Sequence, residues 1–293
     1  MALLAQLIVN GIIAGSLYAL VAAGFSLIYA TNSFMHFAHG ISVVVSAYIL
    51  LTLFTILHVP FFLACLLTLV LAALFGLFMN RAIYVPMRKR RASNVVLLIA
   101  SIGLLILFQN VVQLLFGAQV RTIGYVGISR GMDVLGAIVT PIQIWIVAIT
   151  ALLLPALWLL MRRTRLGRDM RAVADNRELA SIVGINPQRI ADYSFLIGSA
   201  LAGLAGILIG LEQNLVPPMG TSLMIKGFTG AVIGGITSVP GAIVGSYVLG
   251  LVENLGIWYL PSGYKDAIAF ALLFLFLLLR PTGLFGISKG VKE

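Results

Sequence analysis

Apolar residues fill this chain in long blocks, and polar residues appear mainly as short interruptions between them. The blocks 3–29, 41–57, 61–80, 94–116, 142–161, 191–210, 225–238, 241–258 and 265–280 stand out. A helix needs about 20 apolar residues to cross the hydrocarbon layer of a bilayer, so each block is a candidate membrane segment. Two places complicate the pattern. Only TSVPGA breaks 225–238 from 241–258, and the first of the pair is short, which predicts a broken or re-entrant helix. The stretch TNSFMHFAHG (31–40) separates the first two blocks with small, polar and imidazole groups. The pattern predicts an all-α, polytopic transmembrane helix bundle of eight or nine membrane segments, in one domain over 1–293.

Composition sharpens this picture. The chain is 61% hydrophobic and 10% charged over 293 residues, whereas a soluble domain is about 25% charged. No Lys, Arg, Asp or Glu occurs before Arg81. A secretory signal has a basic region ahead of its apolar stretch, so the N-terminal block is expected to be an uncleaved span. The net charge of +10 does not indicate a nucleic-acid partner, because the basic residues sit in short tracts between apolar blocks. The tracts are Arg81–Arg91, Arg162–Arg189, and Arg280 with Lys289 and Lys292. The positive-inside rule places all three in the cytoplasm, together with the C-terminus. The N-terminus then lies outside if 3–29 and 41–57 both cross.

Cys65 is the one cysteine, and His36, His39 and His58 are scattered, so neither a disulfide nor a metal site is expected. There is no G-x-x-x-x-G-K-[ST] phosphate loop, no Ser/His/Asp set and no carboxylate pair. The chain is therefore expected to be neither an enzyme nor an ATP binder, and no cofactor is expected. The connection 117–141, rich in glycine, falls outside and is expected to be an ordered loop with a small hairpin or a plain connector.

The longest polar stretch is LGRDMRAVADNRELASIVGINPQRI (166–190). Apolar positions recur within it at Ala172, Val173, Leu179, Ile182 and Val183, which predicts one or two short surface helices. Asp175 or Asn176 can cap the second, with Glu178 in its first turn and Gly184 ending it. A loop that only fixed topology would not need a capped helix with an apolar face, so this segment, within 162–190, is expected to dock a partner.

Glu178-Leu179-Ala180, followed three residues later by Gly184, resembles the E-A-A-x-x-x-G core of ABC importer permeases, with Leu179 in place of the usual Ala. A broader resemblance runs through GIIAGSLYALVAAGFSLIYA (11–30), HFAHG (36–40), LGRDMRAVADNRELASIVGI (166–185), LAGLAGIL (201–208), KGFTGAVIGGITSVPGAIVGSYVLGLVEN (226–254) and RPTGLFG (280–286). In their order and spacing these stretches resemble the branched-chain, or hydrophobic, amino-acid permeases of ABC importers, the LIV type. His36 holds a position where that family usually has Asn.

The resemblance implies a bacterial inner-membrane subunit that pairs with a second homologous permease subunit. Two cytoplasmic ATP-binding subunits and an extracytoplasmic substrate-binding protein would complete the machine. It assigns Arg171, Asp175, Glu178, Ala180 and Gly184 to coupling with the ATPase. A sister group that carries urea or short amides shares these motifs and is the alternative. An ion-coupled secondary carrier would instead show buried charges in its spans and no docking helix.

Three residue sets remain. Irregular backbone at membrane depth must be buried or line a wet cavity, and in transporters such breaks mark the substrate site. The segment 31–40 is therefore either an ordinary cytoplasmic turn or part of the pathway. The resemblance favours the pathway, with Asn32, His36, His39 and Gly40 beside it and the free backbone groups of 36–40 open to a substrate. Glu253 lies inside its block and is expected to form a buried structural hydrogen bond or a gate, whereas Asp192, Glu212 and Lys226 are expected at the interface. The pairs Gly11 and Gly15, Gly230 and Gly234, and Gly241 and Gly245 have the four-residue spacing that lets helix backbones approach closely.

Overall fold

The computed structural model describes residues 2–124, 131–134 and 136–286. It contains twelve α-helices among these residues. They are α1 (Ala2–Asn32), α2 (His39–Leu50), α3 (Phe61–Phe78), α4 (Val85–Lys89), α5 (Asn94–Phe116), α6 (Pro141–Arg163), α7 (Arg165–Asp175), α8 (Arg177–Ile182), α9 (Pro187–Glu212), α10 (Met219–Gly234), α11 (Val239–Gly256) and α12 (Lys265–Leu279). Eight helices are long and apolar enough to cross a membrane, and α10, of 16 residues, is shorter than these. The bundle is thus all-α and polytopic, and the chain is a multi-pass membrane protein.

The central helices are α1, α9 and α2, and α3, α5, α6 and α12 form the outside. Between 61% and 89% of the apolar stretches of the central three is buried, against 6% to 28% for the outer four. Small residues explain which helices go in. Lipid tails are as apolar as leucine, so helices associate by close van der Waals contact rather than by a hydrophobic drive. A methyl group built on Gly15 would lie 2.9 Å from the Tyr247 ring, and one on Gly11 would lie 3.0 Å from the Leu251 backbone. These contacts run α1 antiparallel to α11. One on Gly234 would overlap the Gly241 carbonyl, and Gly230 and Gly245 lie in the same α10–α11 seam.

The α10–α11 break is a tight turn. Gly235 has φ +110, which a residue with a Cβ resists, and its N–H donates to Ala231 at 2.8 Å. Ser238 then caps α11 by accepting from the Gly241 N–H at 3.2 Å. The two helices form an antiparallel hairpin.

Several boundaries differ from those expected. The third block does not end at 80. It runs as one continuous helical rod to Lys89, through a π turn at Met79–Tyr84. Arg81 and Arg88 therefore sit on a helix rather than in a loop; Arg81 reaches Asp192, and the Arg88 guanidinium turns inward over the ring of the buried Phe34. The second helix starts at His39 and ends in another π turn, Leu51–Ile56.

The loop between α5 and α6 contains an antiparallel hairpin, β1 (Met132–Val134) with β2 (Ala137–Val139). The side chain of Gln6 holds this hairpin to the start of α1, with its Oε1 accepting from Ile138 N–H at 2.8 Å. Gly127, Lys289 and Lys292 lie outside the described residues.

Candidate functional site

Helices α7 and α8 stand at the end of the bundle that carries most of the arginines. Thr164 starts α7 by accepting from the Gly167 N–H at 3.1 Å. Asp175 ends it. Asn176, not Asp175, caps α8, with its Oδ1 accepting from the N–H groups of Glu178 and Leu179, both at 3.0 Å. At the other end Gly184 has φ +88, and the Ile185 N–H reaches back to Ala180 at 3.0 Å. That left-handed position is the usual stop of a helix.

Capping at both ends fixes a helix of 6 residues that would not persist alone. Ala180 packs inward at 3% exposure, while Leu179, Ile182 and Val183 stand 59%, 78% and 73% exposed. Glu178 is exposed too. Arg171 holds the element to α6 by donating to the Met161 carbonyl. Arg177 is half-buried, and that burial lowers the pKa of its guanidinium. The result is a short, fixed helix that offers an apolar face away from the bundle.

The segment 33–38 is neither an exposed turn nor an open stretch of free backbone. Ser33 ends α1 with φ +57, and Phe34, His36 and Ala38 are buried. Of the backbone groups expected to be free at 36–40, the N–H groups of Phe37, His39 and Gly40 have partners within the chain. The Phe37 N–H donates to Ser101 Oγ at 3.1 Å, and those of His39, Gly40 and Ile41 donate to the carbonyls of His36, Phe37 and Ala38.

His36 Nδ1 meets the Tyr84 hydroxyl at 2.9 Å. His39 is fully buried, and its ring lies against Gly24, where an added methyl group would come within 2.8 Å of Nε2. Gly40 faces the Gly220 carbonyl across a gap that a methyl group would overfill. Asn32 donates to Ser194 Oγ at 3.0 Å. Together these residues knit α1, α2, α9 and α10.

Glu253 is also fully buried and accepts from the Tyr18 hydroxyl at 2.9 Å. Lys226, expected at the interface, instead has a side chain only 11% exposed and lies 3.4 Å from Glu253 and 3.0 Å from Asp266. Asp192 is likewise drawn inward. It accepts from Asn80 at 2.7 Å and from Arg81 at 2.9 Å. Among the described residues no cluster of side chains could hold a metal ion.

The chain matches the family model described as branched-chain amino acid transport system / permease component over residues 7–277. The chain belongs to this family. It is 36% identical over 298 residues to the high-affinity branched-chain amino acid transport system permease protein LivH of Escherichia coli (strain K12), covering 96% of this chain and 95% of LivH. It is also 36% identical over 296 residues, with the same coverage, to the corresponding permease protein BraD of Pseudomonas aeruginosa. Among solved structures, PsaBC from Streptococcus pneumoniae in complex with Fab shares the fold. The TM-score is 0.52 at 16% identity, covering 94% of this chain and 92% of that one. A permease component of such a system is a transport subunit rather than an enzyme, and it works with ATP-binding and substrate-binding partners.

Membership of the permease family does not by itself locate the polar networks of this chain. Sequence reasoning took Lys226, Asp192 and Arg81 as interfacial or topological charges. The signal that would have found the first network is that opposite charges, Lys226 and Glu253, both lie on glycine-rich blocks, where neighbouring helices come close. For Asp192 the signal is weaker, since its partner Arg81 is 111 residues away.

Proposed function

We propose that this chain is the membrane-spanning subunit of an ABC importer that moves branched-chain or other hydrophobic amino acids into the cytoplasm, with ATP hydrolysis on partner subunits driving the cycle. The observation that carries this is the doubly capped helix α8, whose Leu179, Ile182 and Val183 side chains have no apolar cover. Exposed apolar surface of this kind outside the spans is a docking surface. The names of the relatives favour branched-chain amino acids over urea or short amides.

In this reading one transmembrane domain covers 1–293, and 162–190 couples it to the ATPase. Arg171 and Asp175 set the position of α8, Glu178 and Ala180 shape it, and Gly184 ends it. The arginine-bearing end and the C-terminus lie in the cytoplasm of a bacterial inner membrane, and the β1–β2 hairpin lies outside. A second homologous permease subunit, two ATP-binding subunits and an extracytoplasmic binding protein complete the assembly. Asn32, His36, His39 and Gly40 serve it by holding α1, α2, α9 and α10 in register, and Glu253 by tying α1 to α11.

The test is Leu179→Asp with Ile182→Asp. Leucine uptake by the assembled system should fall to background while the protein still reaches the membrane, because the spans are untouched. Normal uptake in this variant would overturn the coupling role. Cysteines placed at 165–185 should react with a membrane-impermeant reagent only from the cytoplasmic side.

A further inference from the structure

A cavity of about 260 Å³ lies between α10 and α12, near the ends of both helices that point away from the arginine-bearing end. Its depth is set by the ionic network. The Lys226 ammonium reaches Glu253 and Tyr18 behind it and Asp266 beside it. Glu253 is fully buried, whereas the Asp266 side chain is 62% exposed. Lys226 thus bridges two carboxylates, the buried Glu253 at 3.4 Å and Asp266 at 3.0 Å, of which Asp266 is the one that faces outward. The Thr221 and Ser222 hydroxyls, Ile225, Ala269 and Phe270 complete the wall. Thr221 also donates to Gln109 of α5 at 3.3 Å.

A wall of this kind does not suit lipid. Charged groups within membrane segments face the bundle interior or a water-filled cavity. Apart from Lys265, whose ammonium donates to Asn254 of α11, the remainder of the α12 surface is apolar, with Phe274, Leu278 and Leu279 at 66% to 71% exposure, so the polar patch is local. The cavity is below the roughly 300–1,000 Å³ of sites for drug-sized ligands, so its ligand is small. The patch offers a carboxylate and an ammonium side by side with an apolar wall beyond. That is the complement of a small molecule with one positive group, one negative group and an apolar tail.

We propose that this cavity is a subsite for the transported apolar amino acid. Asp266 takes the ammonium group. Lys226, with the Ser222 and Thr221 hydroxyls, takes the carboxylate, and the aliphatic side chain lies against Ile225 and Phe270. A zwitterion adds no net charge, so it enters without unbalancing the buried Lys226–Glu253 pair. The proposal rests on the reading of the chain as an amino-acid importer, and it places the ligand away from His36 and His39, which are closed off inside the bundle.

The test uses the whole assembled system in proteoliposomes. Asp266→Asn should cut leucine uptake about tenfold or more, as expected for loss of a charged hydrogen-bond partner, while the permease still co-purifies with its partner subunits. Ser222→Cys, in a Cys65→Ser background, should react with a small maleimide. Leucine at about ten times its Kd should slow that reaction about tenfold by occupancy. Isoamylamine, which lacks the carboxylate, and 4-methylpentanoate, which lacks the ammonium group, should protect far less. If the parent system takes up leucine but the Ser222→Cys reaction is indifferent to it, the subsite is overturned and the transport function stands. Unchanged uptake in Asp266→Asn overturns it equally. If the parent system takes up no leucine, the functional reading falls and the subsite falls with it. Should Asp266→Asn fail to assemble, the labelling result decides alone.

Discussion

Helices α1 and α12 are nearly alike in apolarity, with mean hydropathy of 1.9 and 1.7 over comparable stretches, yet 89% of one stretch is buried and 6% of the other. Their small residues differ. Helix α1 carries Gly11, Gly15, Ser16, Gly24 and Ser26, whereas α12 runs Phe270-Ala271-Leu272-Leu273-Phe274-Leu275-Phe276 without a glycine or serine. In water the more apolar helix would go inside. In lipid, apolarity is common to every span, and the inside goes to the helix whose surface is smooth enough for backbones to touch. Length adds to the contrast. At about 1.5 Å per residue the 31 residues of α1 reach well beyond the roughly 30 Å hydrocarbon core, and its far end is held by the β hairpin through Gln6.

The comparison breaks most severely if the smooth face is lost. Gly234→Leu would drive a side chain into the Gly241 backbone. Gly15→Leu would do the same at Tyr247, and backbone has little room to move. Both should remove most of the folded protein, beyond the about 1–3 kcal/mol of ordinary overpacking. The measure is the yield of monodisperse protein in mild detergent. Normal yields would show that glycine spacing does not decide what is inside.

The buried polar groups come next. Glu253→Ala would leave the Tyr18 hydroxyl and part of the Lys226 charge unmatched. Removing one partner of a buried pair costs about 3–5 kcal/mol, less here because Asp266 still serves Lys226. Thermal unfolding should show a lowered Tm, and Glu253→Gln should recover part of it by keeping the hydrogen bond with Tyr18. Equal loss in both variants would mean that the charge, not the bond, matters.

A smaller effect is expected for Asp192→Asn. Its partner Arg81 is 64% exposed, and such a pair is worth about 1 kcal/mol or less. A modest fall in Tm is expected, and a fall as large as that of Glu253→Ala would show Arg81 to be shielded in the assembly.

The smallest effect should come from α12. Phe274, at 69% exposure, makes so little contact within the chain that Phe274→Ala should leave the isolated permease's Tm unchanged. Loss of stability only in the assembled system would reveal that a second subunit covers this helix, which would sharpen the contrast with α1.

Most of the helices were legible as apolar blocks, and the fourth block, 94–116, coincides with α5. The cap and stop of α8 were legible too, because Asn176 and Gly184 act on backbone groups within a few residues of themselves. The end of the third block was misplaced, since Arg81 looks like a boundary to any scale that counts charge, while the helix continues past it and lets the guanidinium reach Asp192. His36, His39 and Gly40 were legible as a break between helices but not as a sealed one.

The sequence by itself determined that the chain spans a membrane, that it has eight or nine candidate segments and which family it resembles, because these depend on local apolarity and on short motifs. The tertiary structure alone decided which helices lie inside, that Lys226 serves Glu253 and Asp266, that Asp192 accepts from Asn80 and Arg81, and that the N–H of Phe37 is held by Ser101. Each of these depends on where another helix lies. Between spans in lipid that position is fixed by close contact and by polar pairing across the bundle, which a property summed along one helix does not contain.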